Sequence, residues 1–146
     1  MKITVAENAG FCFGVKRAVR IALDAANLGR VYTLGALIHN PPMVEEMRKK
    51  GVVAVNDFKG LDNKRVIIPS HGISPLVLKK IKPKVKEIID ATCPFVKIAR
   101  EEAVKLSKEC DQLIIVGDKK HPEIRGILPF LRGDVIVVKD ASKVPE

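Results

Sequence analysis

Short runs of β-branched residues alternate with stretches of helical periodicity, and this alternation restricts the possible folds more than any other feature of the chain. Strands are expected at Ile3–Val5, Val31–Leu34, Val52–Val55, Val66–Ile68, Glu87–Ile89, Leu113–Val116 and Val135–Val138. Between them lie helical patterns at Val15–Asn27, Met43–Lys50 and about Phe95–Glu109, and a further helix opened by Ser74-Pro75. In the first pattern, Val15, Ala18, Val19, Ala22 and Leu23 share one face. Gly29 and Gly51 stop two of the helices, while Ser74 supplies a capping hydroxyl and Pro75 a suitable first residue. Strand and helix in turn predict an α/β fold built on a parallel sheet.

A repeat is superimposed on the alternation. Cys12, Val15, Lys16 and Ala18 form the pattern Cys-x-x-Val-Lys-x-Ala, which returns at Cys93, Val96, Lys97 and Ala99, 81 residues later. Each copy leads to a strand ending in Gly-x-x-x-His, at Gly35 to His39 and again at Gly117 to His121, with Pro41 and Pro122 close behind. Two matches in the same order at nearly the same interval favour an internal duplication. The predicted organisation is a first α/β unit over residues 1–91 and an incomplete second unit over 92–146.

Cys12, His39, His71, Cys93 and His121 all fall between the end of an expected strand and the start of a helix. In an open α/β sheet, ligands bind at that edge. A lone histidine is more often structural, but five such residues in equivalent positions point to one site. Gly10 and Gly14 flank Phe11-Cys12-Phe13 and are expected to let the backbone turn and approach a ligand. Thr92-Cys93-Pro94 places a thiol at a helix cap, where the helix dipole favours the thiolate that binds metal. Helix N-termini gathered with three imidazoles suit a diphosphate. Glu123 either complements the dipole of its helix or carries protons beside His121. Cys110 follows a helical pattern at the opposite edge and is expected to be a buried or half-buried structural thiol.

Composition bears on partners and compartment. With 47% hydrophobic residues and no apolar run near the ~20 a membrane span requires, the chain is expected to be a soluble cytoplasmic protein. Three cysteines, an odd number, fit metal or redox chemistry better than a disulfide framework. A net charge of +9 suits an anionic partner. A non-catalytic module binding nucleic acid or phosphorylated ligands is therefore an alternative, although one Tyr and no Trp provide little for base stacking. A zinc hydrolase using Cys12, Cys93 and one histidine is a third.

Ala9-Gly10-Phe11-Cys12-Phe13-Gly14-Val15, Ile38-His39-Asn40-Pro41, Ser70-His71-Gly72, Asp90-Ala91-Thr92-Cys93-Pro94 and His121-Pro122-Glu123 together closely resemble the 4-hydroxy-3-methylbut-2-enyl diphosphate reductases. These are iron–sulfur enzymes that end the non-mevalonate isoprenoid pathway. The resemblance runs along essentially the whole chain. It implies a pseudo-threefold arrangement of three α/β domains around a 4Fe-4S cluster, with about one and a half units in this sequence. By the same resemblance, Cys12 and Cys93 are cluster ligands, and the third cysteine of the family is not in this sequence. His39, His71 and His121 would bind the allylic diphosphate, and Glu123, with His121, would serve proton delivery. The implied reaction is a two-electron reductive dehydroxylation to isopentenyl and dimethylallyl diphosphates. A carrier such as ferredoxin or flavodoxin would supply the electrons.

Overall fold

The computed structural model describes residues 1–7 and 9–144, so Pro145 and Glu146, the end of the expected second unit, lie outside it. Helix α1 (Phe13–Ala26) precedes strand β1 (Val31–Leu34), α2 (Pro41–Lys49), β2 (Val52–Val55), β3 (Arg65–Ile68), α3 (Pro75–Ile81) and β4 (Glu87–Asp90). There follow α4 (Pro94–Glu109), β5 (Gln112–Val116), α5 (Pro122–Ile127) and β6 (Asp134–Val138), with single 3-10 turns at Leu128–Phe130 and Ala141–Lys143. The sheet ladders are parallel throughout, in a four-stranded sheet ordered β2-β1-β3-β4 and a separate β5-β6 pair.

A parallel sheet needs cover on both faces, and the strand residues alternate accordingly. Val31, Val52 and Ile67 join Ala18, Ala22 and Ala25 of α1 and Met47 of α2 in one core cluster. Tyr32, Leu34 and Val66 point into another, built with Leu61, Ile81 and Phe58. The small residues of α1 let that helix lie close to the sheet. Arg65, on β3, donates to the Ala25 carbonyl at 2.7 Å and pairs with Glu87 at 2.7 Å. One side chain thus adds a second donor to a carbonyl in the last turn of α1, which also accepts from the Leu28 amide, and ties two strands together.

Around the second sheet, Ser107 is buried at the end of α4. Its hydroxyl donates to the Val104 carbonyl and accepts from the Arg132 amide. The Arg100 guanidinium stacks 4.5 Å from the centre of the Phe130 ring. Both repeated glycines close their ladders in the same way. The Gly35 amide donates to Val55 at 2.8 Å, and the Gly117 amide to Val138 at 2.7 Å.

Two expectations are corrected. Ile3–Val5 is not a strand, and Ile3 and Val5 are each 75% exposed. Among the described residues no strand lies beside them, and β-branched residues hold a strand only when a ladder takes up their backbone groups. Cys110 is exposed, because it caps the C-terminus of α4 in extended backbone after the helical face has ended. Boundaries also shift by a residue or two, as at α1, which starts at Phe13, and at α2, which starts at Pro41 because Asn40 caps it and two prolines suit its first turn. No helix among the described residues is long and apolar enough to cross a membrane.

Candidate functional site

Five helices begin at the carboxyl edge of the sheets, and their caps differ in a way that marks the site. Asn40 accepts from the Met43 amide, Ser74 from the Leu76 amide and His121, through Nδ1, from the Glu123 amide at 3.4 Å. Cys12 and Cys93 are the N-caps of the two longest helices, α1 and α4, and neither makes a side-chain cap. The first-turn N–H groups of both helices are therefore left without a side-chain acceptor, at the helix end that suits an anionic ligand.

The two thiols come from loops that meet. Gly14 is buried in the first turn of α1, and a Cβ placed on it would run into the sulfur of Cys93. Beside this contact, the Phe13 and Phe95 rings meet edge to face, with centroids 6.3 Å apart. Gly14 therefore does something other than the turning expected of it. It makes room for the second cysteine.

Main-chain hydrogen bonds join the loops that carry the site. The Ser70 amide donates to Leu37 at 3.2 Å, and the Ser70 carbonyl accepts from the Cys93 amide at 2.8 Å. The loops of His39, His71 and Cys93 are thereby joined in series. Asp90 fixes the last of them from below, accepting from the Thr92 amide at 2.9 Å and from Lys97 Nζ at 2.5 Å. Burial raises the Asp90 carboxyl, but the hydrogen bonds from Lys97 and Thr92 outweigh it and hold the group below its ordinary value. Ser70 and Asp90 belong to quoted motifs but received no role from sequence. Both act through the backbone of neighbouring loops, which spacing along the chain does not reveal.

His39 lies between the other two imidazoles. Its ring stacks on His71 with centroids 5.5 Å apart and planes at 21°, and it lies 6.0 Å from His121 at 48°. Helix α5 reaches this group because Gly126 has no side chain. A Cβ there would come within 2.9 Å of the His71 carbonyl oxygen. Since His121 Nδ1 accepts the Glu123 amide, its Nε2 is the nitrogen free to donate outward. His71 Nδ1 is buried without a partner. Burial pushes the His71 imidazole down to about 4, and the neighbouring His39 and His121 push it the same way. Of the three rings only His71 lines a cleft of about 430 Å³, whose walls also include Ser74 and Arg125. The Glu123 side chain, in the first turn of α5, is exposed.

The depressed His71 value has a pH consequence with a definite sign. The unfolded chain takes up this proton near pH 6.5, whereas the folded protein resists it until about pH 4. Stability is fully present above pH 6.5 and declines as pH falls from there toward 4. Urea midpoints measured over that window are expected to fall less for His71→Asn than for the unsubstituted chain. Equal slopes would place the effect elsewhere.

Four of the five loop residues lie after an observed strand as expected, while among the described residues no strand precedes Cys12. Among the described residues, no three His, Cys, Asp or Glu side chains are grouped closely enough to hold a single metal ion. A zinc site made of Cys12, Cys93 and one histidine is therefore not formed. The pair fits two corners of a larger sulfur-liganded group better: two free thiols, in facing loops, at helix N-termini that no side chain caps. Cys110 cannot complete the set, because the 16-residue helix α4 separates it from Cys93 by roughly 24 Å at 1.5 Å per residue.

Fold and candidate site together define a parallel α/β protein with two cysteines at helix N-termini and an imidazole cluster at the carboxyl edge of its sheets. The LytB protein family model matches residues 3–146, and the chain belongs to that family. It is 45% identical to the 4-hydroxy-3-methylbut-2-enyl diphosphate reductase of Geotalea uraniireducens, covering 100% of this chain and 53% of that protein. The corresponding protein of Campylobacter hominis is 46% identical, over 99% of this chain and 52% of its own length. A solved structure of (E)-4-hydroxy-3-methyl-but-2-enyl diphosphate reductase, described as the terminal enzyme of the non-mevalonate pathway, superposes with a TM-score of 0.83 at 42% identity. It covers 96% of this chain, which in turn covers 52% of it. The Plasmodium falciparum reductase structure gives a TM-score of 0.85 at 28% identity, over 96% of this chain and 46% of its own. The chain spans about half the length of the curated relatives it matches.

Proposed function

We propose that this chain supplies two of the iron ligands and much of the diphosphate pocket of a 4-hydroxy-3-methylbut-2-enyl diphosphate reductase. The carrying observation is the Cys93 sulfur packed against Gly14, two residues along α1 from Cys12, on one edge with three neighbouring imidazoles, in a chain of the LytB family. The reaction adds two electrons and two protons to the substrate, breaks its allylic C–O bond and releases water. The products are isopentenyl and dimethylallyl diphosphates.

Cys12 and Cys93 would hold a 4Fe-4S cluster together with ligands from outside this sequence. When bound, the cluster supplies electrons and a Lewis-acidic iron. His39 and His121, which are exposed, donate to diphosphate oxygens, His121 through Nε2. His71 is neutral at pH 7, so it enters this contact as a dipolar hydrogen-bonding group, and an arriving anion relieves the isolation of its ring. Glu123, held next to His121 by its own amide, carries a proton toward the leaving hydroxyl, with His121 beside it. A small ferredoxin- or flavodoxin-like carrier delivers the electrons in the cytoplasm, a compartment that suits the three free thiols.

The two-unit organisation, 1–91 and 92–146, belongs to the same proposal. Two features support it: a cysteine heads α1 and another heads α4, and the Gly35 and Gly117 closures of β1-β2 and β5-β6 correspond.

The test is anaerobic incubation of the protein carrying this chain with iron and sulfide. The substrate is then added, with a chemically reduced viologen as electron donor. Formation of the two isomeric diphosphates by the brown, cluster-loaded protein is expected. Full turnover by colourless, iron-free protein would overturn the reading.

A further inference from the structure

We propose that Gly14 and Arg17 are positioning residues that hold Cys93 within reach of Cys12, so that α1 determines where both thiols stand. The inference rests on the iron–sulfur reading for its purpose and on geometry alone for its content. Cys12 heads α1, and Gly14 and Arg17 lie in the next turn and a half of the same rigid helix.

From that helix two contacts reach across to the other thiol. Gly14 meets the Cys93 sulfur with no room for a methyl group between them. Arg17 Nη1 donates to the carbonyl of Thr92 at 3.1 Å, across 75 residues of sequence. Thr92 is 3% exposed and immediately precedes Cys93, and its amide is already held by Asp90. The loop is thus gripped at the Thr92 amide by Asp90, at its carbonyl by α1, and at the Cys93 amide by Ser70. A guanidinium bonded to a carbonyl is a charge-assisted contact, stronger than its neutral counterpart.

The duplication separates this role from a general helical one. The residue in the second copy that corresponds to Arg17 is Ile98, which is 55% exposed. The clamp therefore runs one way, from the helix of the first cysteine to the loop of the second. Helix α1 carries out two tasks at once, presenting its own sulfur and setting the other.

Dibromobimane tests the arrangement without any cluster. Each of two nearby thiolates displaces one bromide, forming an S–C bond as a C–Br bond breaks, and strong fluorescence appears only after both displacements. In the Cys110→Ser background the chain contains just Cys12 and Cys93. The unsubstituted pair is expected to cross-link readily. Arg17→Met should reduce the cross-linked yield about tenfold, the population change that loss of one charge-assisted hydrogen bond brings, and Arg17→Lys should recover most of it. Gly14→Ala should reduce the yield at least as far. Melting curves and single-site alkylation at each cysteine show whether a variant is folded with both thiols accessible. If Gly14→Ala does not fold, the Arg17 pair of variants still decides. No cross-link in the parent, or unchanged yields in folded Arg17→Met, would overturn the proposal. A parent that cross-links but takes up no iron and sulfide with its partner ligands present would sink the iron–sulfur reading and leave this one standing.

Discussion

Replacing Glu123 by Gln is expected to lower turnover by about 10²–10⁴-fold while leaving cluster uptake and substrate binding almost unchanged. The geometry makes this an unusually clean substitution. Glu123 is exposed, and the contact that fixes His121 uses the Glu123 backbone amide, which the substitution keeps. The amide side chain matches the carboxylate in shape but cannot carry a proton. Removing a carboxylate from the first turn of α5 costs the helix about 0.3–1 kcal/mol at most. That is too little to unfold the protein and far too little to account for such a rate loss. Single-turnover product formation by cluster-loaded protein, measured beside its melting temperature, checks both parts. Unchanged turnover with a slightly lower melting temperature would reassign Glu123 to dipole complementation.

Cys93→Ser is expected to abolish stable cluster assembly without weakening the fold. A serine hydroxyl is a poor substitute for a thiolate on iron, and the remaining Cys12 cannot hold the second corner. The same change supplies something α4 lacks. Cys93 makes no side-chain cap, whereas serine is among the preferred N-cap residues, worth about 1 kcal/mol over a non-capping one. The variant should therefore melt no lower than the parent while losing bound iron, sulfide and the visible absorption they bring. Iron and sulfide analysis after anaerobic loading, combined with thermal unfolding, tests this. Full iron content in Cys93→Ser would remove Cys93 from the ligand set. Here the gain of a cap and the loss of a ligand separate function from stability, because the unsubstituted helix forgoes its cap at that position.

The edge of the sheet on which the candidate site lies is legible in the sequence. Strand–helix alternation places His39, His71, Cys93 and His121 after strands, and a parallel sheet collects those positions on one side. The sequence places Cys93 at a helix cap, and it is the N-cap of α4; Cys12, expected in the loop before a helix at Val15, is an N-cap as well, because α1 begins at Phe13. Ile3–Val5 misled because strand propensity is expressed only in the presence of a pairing neighbour, and neighbours are tertiary. Cys110 misled for a related reason: a place between a helix and a strand says nothing about whether that helix end is covered. Gly14 was assigned flexibility from its place near Cys12, but it is helical and buried, and what matters is the missing methyl group.

Local chemistry settled the rest of what was readable. Ser74 at the cap and Pro75 at the first turn are choices a helix makes within four residues, so sequence alone determined where α3 begins; the same local rule at Asn40 and Pro41 starts α2 two residues before the apolar periodicity indicated. Contacts between distant residues have no such local rule. The grouping of three imidazoles, the isolation of His71 Nδ1, the chain of bonds through Ser70 and the reach of Arg17 to Thr92 all depend on how loops far apart in sequence settle against one another. The sequence determined which residue types arrive at the edge, because periodicity and capping are short-range. Only the tertiary structure decided their distances, exposures and partners, because these depend on the packing of α1, α4 and α5 around sheets that the short-range signals do not orient.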